Sequence, residues 1–325
     1  MRRRAFLGLI GTAAAWAFAA RAQDAGRVYR LGFMIPAGRE SPAIAAFLDE
    51  LRLNGFAEGQ NVAVIWDDLD LPGDELAERA TTMVKAAPDA IIAGPLPLRA
   101  LQAVTRTVPI VGMTEDLVGE GLVTSLARPG GNITGISLLS PELDGKRQDI
   151  LIEAVQGARR IAVLADSNLT SPRHLEKLKA AARARSVELS VFTASRPEEI
   201  VTAIHAAKAS GAMAVNFLAS PLFSVPGSPN SRFVIERIAE LRLPAIYQWP
   251  ETAEQGGMAG YGPRFTQIYR QRARMVVKVL RGIKPADIPV EQPTNFELVI
   301  NLKAAKAIGH DIPTGLLLRA DEVIE

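Results

Sequence analysis

Nucleophilic and metal chemistry in proteins leans on cysteine and histidine, and this chain is poor in both. Its three histidines are His174, His205 and His310, and cysteine is absent. No H-E-x-x-H pair, no G-x-S-x-G elbow and no P-loop occurs. Gly130-Gly131-Asn132 reads as a turn ahead of a strand rather than as a phosphate cradle. His174 and His205 fall inside expected helices and His310 in the tail, where surface or packing roles are the plain reading. With no Cys or His at a strand end, a nucleophile–base pair is hard to assemble. The residues therefore point away from an enzyme and from any metal or cofactor.

Binding chemistry is better supplied. Ser41-Pro42 starts a helix, with Ser41 as N-cap; a helix N-terminus also attracts a carboxylate, because its free N–H groups and dipole favour an anion. Asp116, in a loop, can hold an amine, although a loop carboxylate is often only a turn former. The amides of Asn168 and Gln248 both donate and accept. Trp249 and Tyr261 offer flat apolar faces with a polar edge. For Trp249 the structural alternative is packing between lobes.

These residues gain a common address from the elements around them. From Val28 the chain alternates short apolar runs with helical patterns. Val28–Ile35, Val62–Trp66, Ala90–Ala93, Val108–Val111 and Ile133–Leu138 read as strands. Between them, Ile44, Phe47, Leu48 and Leu51 fall on one helical face. A second round follows, with strands at Arg160–Ala165, Val187–Phe192, Met213–Phe217 and Ala245–Gln248. Two βα rounds imply two parallel sheets, each doubly wound with helices on both faces. The tail adds strands at Met258–Tyr261 and Leu298–Asn301 and a long helix at Phe265–Leu280, too little for a third domain. The chain should therefore cross between lobes several times, near Ser137–Glu142, Glu251–Gly257 and Ile283–Asn295, forming a multi-strand hinge. The expected division is 28–137 plus 258–284 for an N-terminal lobe and 140–252 plus 294–325 for a C-terminal lobe. Ligands of such sheets sit beyond the strand carboxyl ends, and those ends are 36–41, 94–98, 112–116, 166–170, 218–223 and 248–251, with Tyr261 on the returning strand.

Several blocks resemble one family. Ser125-Leu126-Ala127-Arg128-Pro129-Gly130-Gly131-Asn132-Ile133-Thr134-Gly135 is the first, followed by Ser140-Pro141-Glu142-Leu143 and Gly145-Lys146-Arg147. Leu243-Pro244-Ala245-Ile246-Tyr247, Tyr261-Gly262-Pro263, the run from Pro289 to Lys303 and the ending Arg319–Ile324 continue it. They are similar to the ABC-transporter substrate-binding family that includes tryptophan- and tyrosine-binding proteins. The resemblance covers everything after the N-terminal segment. It implies a type I periplasmic-binding-protein fold and a receptor that delivers a small organic ligand to an ABC permease in the inner membrane. A sensor module reporting to a membrane signalling receptor would use the same fold. Asp116 matches an Asp of the family. Where the family often carries Gly-Thr-Pro, this chain has Pro95-Leu96-Pro97, so Leu96 replaces a hydroxyl that could meet a ligand carboxylate. With Leu98, Leu222, Phe223 and Trp249 it suggests a ligand with a larger apolar part: a hydrophobic amino acid or an aromatic carboxylate.

The ends and composition set the compartment. Met1-Arg2-Arg3-Arg4-Ala5-Phe6-Leu7, an apolar run from Gly8 to Ala20 and Ala20-Arg21-Ala22 form the pattern of a cleaved signal peptide over residues 1–22. Arg3-Arg4 before Phe6-Leu7 fits the twin-arginine route. The apolar run falls short of the ~20 residues that span a bilayer. Some 300 of the 325 residues would remain, ample for a core without disulfides. Removing Arg2, Arg3, Arg4 and Arg21 takes the net charge from +2 to about −2. No basic stripe with interleaved aromatics is present, which argues against nucleic acid as a partner. The expectation is a monomer in the periplasm.

Overall fold

A computed structural model of the protein describes residues 26–68 and 75–325. The export segment expected at 1–22 lies outside these residues. The first lobe runs β1 (Tyr29–Ile35), α1 (Pro42–Leu53), β2 (Val62–Asp68), α2 (Leu76–Lys85), β3 (Ala90–Ala93), α3 (Pro95–Val104), β4 (Ile110–Thr114) and β5 (Ile133–Ser137). Its sheet has the order β2-β1-β3-β4-β5, with every pair parallel. β3, β4 and β5 are buried along their whole length, as strands covered on both faces must be.

The second lobe comprises α4 (Ser140–Ala154), β6 (Arg160–Asp166), α5 (Pro172–Ala184), β7 (Glu188–Ala194), α6 (Pro197–Ala209), β8 (Val215–Phe217), α7 (Pro221–Ser224), α8 (Pro229–Glu240), β9 (Ala245–Tyr247), α9 (Pro250–Glu254) and β10 (Ala259–Gly262). The tail gives α10 (Phe265–Leu280), a 3-10 turn (Pro285–Asp287), β11 (Glu297–Asn301), α11 (Leu302–Ala307), α12 (Thr314–Leu317) and β12 (Glu322–Ile324). The second sheet has the order β12-β11-β10-β9-β8-β6-β7. From β6 to β10 it repeats the winding of the first sheet, so the two lobes share one topology.

Local sequence explains many of the helix starts. Ser41, Ser171, Ser220 and Ser228 each precede a proline at the first helical position. Each accepts a hydrogen bond from a backbone N–H in the first turn: Ile44 at 3.4 Å, His174 at 3.2 Å, Leu222 at 3.0 Å and Ser231 at 3.1 Å. Serine satisfies an orphan donor, and proline loses nothing where its N–H would be unpaired anyway.

The tail departs from the sequence reading in three respects. The second sheet is mixed, because β11 pairs antiparallel with β10 and parallel with β12. The strand expected at Met258–Tyr261 was assigned to the first lobe; β10 instead lies between β9 and β11 in the second sheet. Glu251–Gly257 was expected to cross between lobes; Glu251 to Glu254 belong to α9, which connects two strands of one sheet. The chain passes between the sheets around residues 138–139, 263–264 and 292–296.

α10 packs on the first lobe. Phe265, Ile268, Tyr269, Met275 and Val276 join Ile44, Phe47 and Leu51 of α1 in one core. The stretch after α10 then follows the edge of β5: Ser137 N–H donates to Glu291 O at 3.0 Å and Glu291 N–H to Gly135 O at 3.0 Å. Thr134 Oγ1 donates to Ile288 O at 2.7 Å.

Candidate functional site

Both sheets reverse their strand order beside the first strand of the lobe, between β1 and β3 and between β6 and β8. A crevice opens at such a switch point, outside the strand carboxyl ends. Here the segments after β1 and after β8 face each other across a cleft of about 740 Å³. The first lobe contributes 35–42, and the second contributes Pro197, Pro221 and 225–230. That volume suits a small organic ligand.

Ser41 lies on this cleft while its hydroxyl caps α1. The other sequence candidates are distributed differently. Leu96 is half-buried in the first turn of α3, because Pro95-Leu96-Pro97 starts a helix instead of forming a loop. Leu222 is core, 3% exposed in the cluster around β8. Gln248 is buried and accepts a 3.5 Å hydrogen bond from Ser224. Asn168 is exposed and donates to Ser195 O at 2.9 Å. Tyr261 is half-buried, tilted against Phe296 with ring centroids 6.4 Å apart. Trp249 is buried against Phe265, at 4.7 Å, within the first lobe's core. It thus packs across the lobe boundary from a second-lobe strand end.

Asp116 is exposed, and its carboxylate accepts from Gly119 N–H at 2.9 Å, closing its own turn. The carboxylate turned inward is its neighbour Glu115, directly after β4. Glu115 Oε2 is buried without a hydrogen-bond partner. Burial pushes its pKa well above the ordinary carboxylate value, and the negative charge of Asp144 adds to the rise, with Glu120 and Asp166 contributing and Arg147 opposing. Asp144 and Arg147 are on α4, and Asp166 ends β6, so the group joins both lobes.

The second-lobe side of the group is heavily hydrogen-bonded. Arg147 pairs with Asp144, both fully buried. Arg147 Nη1 also donates to Tyr261 O at 2.9 Å. Asp144 accepts from Ala219 N–H at 3.3 Å, and Asp166 accepts from the Ser220 hydroxyl at 2.7 Å and from Asn168 N–H at 2.8 Å. Burial raises the Asp166 pKa despite these bonds. His174 was expected to be remote from the strand ends, yet it sits in the first turn of α5 with Nε2 3.4 Å from Asp144. Burial holds its pKa below the usual imidazole value, with the Asp144 charge opposing.

Glu115, Asp144, Arg147 and His174 were absent from the sequence-derived set of site residues. Glu115 and Asp166 did lie within the strand ends marked there, but nothing in the residue order showed which side chain of each loop turns inward. Among the described residues no group of three or more His, Cys, Asp or Glu could hold a metal ion, and no helix is long and apolar enough to cross a membrane.

Two wound α/β lobes meeting at their switch points define a fold of the periplasmic-binding-protein type. The chain belongs to the ABC transporter substrate binding protein family, whose model matches residues 42–324. This is a family of binding proteins rather than enzymes. A tyrosine-binding protein of Clostridioides difficile (strain R20291) is 25% identical over 268 residues, 81% of this chain and 75% of that one. The crystal structure of a conserved domain protein from Vibrio cholerae matches with a TM-score of 0.79 at 26% identity, over 91% of this chain and 99% of the other. An ABC domain from Streptococcus pneumoniae, solved in complex with L-Trp, matches with a TM-score of 0.78 at 23% identity, over 91% of this chain and all of that one.

Proposed function

We propose that the protein is the periplasmic receptor of an ABC importer, capturing an amino acid or a related hydrophobic acid in the interlobe cleft and delivering it to an inner-membrane permease. The observation that carries this reading is the cleft between the two matched switch points, with Ser41 and the α1 N-terminus on its wall. A receptor of this kind needs concave, mostly pre-formed space and a few placed polar groups. The tyrosine-binding relative from C. difficile supports an amino acid.

The 28–137 and 140–252 segments, with the tail shared between them, act as the two closing bodies. Export follows from Arg3-Arg4-Ala5-Phe6-Leu7 and the apolar run after it. Undiminished periplasmic delivery of an Arg3→Lys/Arg4→Lys precursor contradicts the twin-arginine route.

A thermal-shift screen of the purified mature protein tests the receptor reading. Ligand that binds only the native state raises the melting temperature by mass action. At least one amino acid or aromatic acid is expected to do so, with one site per chain by calorimetry. A flat response across all amino acids and aromatic carboxylates contradicts it.

A further inference from the structure

The three stretches that join the lobes leave the chain different amounts of freedom. At the second crossing, Arg264 is tied to three carboxylates of the second lobe. It pairs with Glu254 of α9, donates from Nε to Glu297 of β11 at 2.6 Å and from Nη2 to Glu322 of β12 at 2.9 Å. The next N–H, that of Phe265, donates to Glu251 Oε1 at 2.8 Å. This crossing is a fixed pivot. At the third, Glu291 is still bonded to β5 and Glu297 begins β11, so residues 292–296 supply slack. At the first, Leu138 N–H donates to Thr114 O of β4 at 3.0 Å, and α4 begins at Ser140. Only Leu139 lies between, and it takes up the whole change of direction.

Leu139 has φ 55° and ψ 31°, the left-handed region, where its Cβ crowds the following carbonyl oxygen. The other serine–proline helix starts show what is unusual here. Ser41, Ser171, Ser220 and Ser228 stand in the cap position with extended backbone, and each helix begins at the proline. Ser140-Pro141 is the same pair, yet α4 begins at Ser140 and Leu139 stands in the cap position. The helix has started one residue early. In this conformation Glu115 of the first lobe has a buried carboxylate oxygen and feels the charges of Asp144 and Arg147 of α4, so the early start accompanies apposed lobes. We propose that the start of α4 is a two-state switch in the hinge: with the lobes apposed Leu139 is left-handed and α4 begins at Ser140, and with the lobes apart Leu139 is extended and α4 begins at Pro141. This rests on the closing-receptor reading and deepens it by naming the element that opposes closure. Closing the empty protein strains Leu139, so the empty protein is biased toward the open state, and affinity is set in part by a residue outside the cleft.

The chain has no cysteine, so Glu40→Cys on the first-lobe wall of the cleft and Arg232→Cys in the first turn of α8, both exposed positions, give two clean spin-label sites. Pulsed electron–electron double resonance on the mature protein without ligand reads the short and long distance populations. Leu139→Asn, which tolerates left-handed backbone, should raise the ratio of short to long distances about fivefold. Leu139→Val, whose branched Cβ tolerates it least, should lower that ratio. Leu139→Ala keeps the backbone strain and loses the side chain, and should stay close to the parent. Either shift in its stated direction supports the switch. Distances unmoved by both Asn and Val overturn it, as does a shift in the opposite direction. A change with Ala as large as with Asn also overturns it, because the effect then lies in side-chain packing. No ligand enters this measurement, so a thermal-shift screen without a response contradicts the receptor reading alone, and variants that all match the parent contradict the switch alone.

Discussion

Two buried arginines show how differently one residue type can be used. Arg147 and Asp144 form a fully buried ion pair in the second lobe. Arg272, equally buried in α10, donates to Ala93 O at 2.9 Å and Val111 O at 3.2 Å and lies 5.1 Å from the Tyr269 ring centre, with no carboxylate among its partners. Breaking a buried pair strands its other charge, a loss of about 3–5 kcal/mol, whereas removing Arg272 leaves no opposite charge behind, only two carbonyls that lose a donor. Arg147→Met should therefore destabilise by about that amount and Arg272→Met by less, about 1–3 kcal/mol, measured by urea unfolding. The reverse order contradicts this assignment.

Glu115 gives a pH-dependent prediction. Its pKa is higher in the folded protein than in the unfolded chain, so the native state binds the extra proton. Its contribution to stability is then greatest below the unfolded value, roughly pH 4, and is lost as pH rises through the folded value. In the empty protein, Glu115→Gln should raise the melting temperature relative to the parent at pH 7.5, and the gain should shrink on acidification toward pH 4. A gain that is constant with pH, or that grows on acidification, contradicts the placement of Glu115. Asp116 was the legible carboxylate, because it lies in a strand-end loop and matches an Asp of the family. Which of two adjacent acids turns inward depends on α4 of the other lobe, which lies beyond any local pattern.

At the scale of elements, the parallel pair β4–β5 depends on one close approach. Gly135 has φ +149°, and a Cβ there would lie 1.9 Å from Gly112 O. Backbone cannot yield as a flexible side chain does. Gly135→Ala should cost about 3 kcal/mol or more, combining strained backbone with a clash; a loss under 1 kcal/mol by denaturant titration would sink this account of the strand pair. Sequence made this glycine visible as part of the Gly130–Gly135 block but gave no reason for it, because its partner Gly112 is a residue of another strand. The serine–proline helix starts at Ser41 and Ser171 were fully readable, since a cap and its helix are local. β10 was found as a strand but placed in the wrong lobe, because its neighbours β9 and β11 are chosen by sheet assembly and leave no trace in a four-residue apolar run.

For the whole molecule, the alternation of strands and helices was enough to show two wound lobes, because each strand–helix unit announces itself by period. The positions of the crossings were less legible. The crossing at Pro263-Arg264 is only two residues long, whereas 283–295 is a long stretch with Pro285, Pro289 and Pro293, and α9 interrupts the segment that had looked like a link. Trp249 packs on Phe265, which begins the helix entered from the second crossing. The lobes therefore share packing beside a crossing, where a pivot is needed, while the cleft lies between the loops after β1 and β8.

Closure is the central claim, and its physical basis is differential contact. A ligand touched from both sides binds the closed state better, and it can shift the population by no more than that difference. About 3 kcal/mol of difference changes the open-to-closed ratio more than a hundredfold. Small-angle X-ray scattering of the mature protein, with and without a saturating amount of the tightest-binding compound from the amino-acid screen, measures this directly. The radius of gyration is expected to fall on ligand addition. Superimposable curves at saturation, with binding verified by calorimetry in the same sample, would contradict a receptor that closes on its ligand.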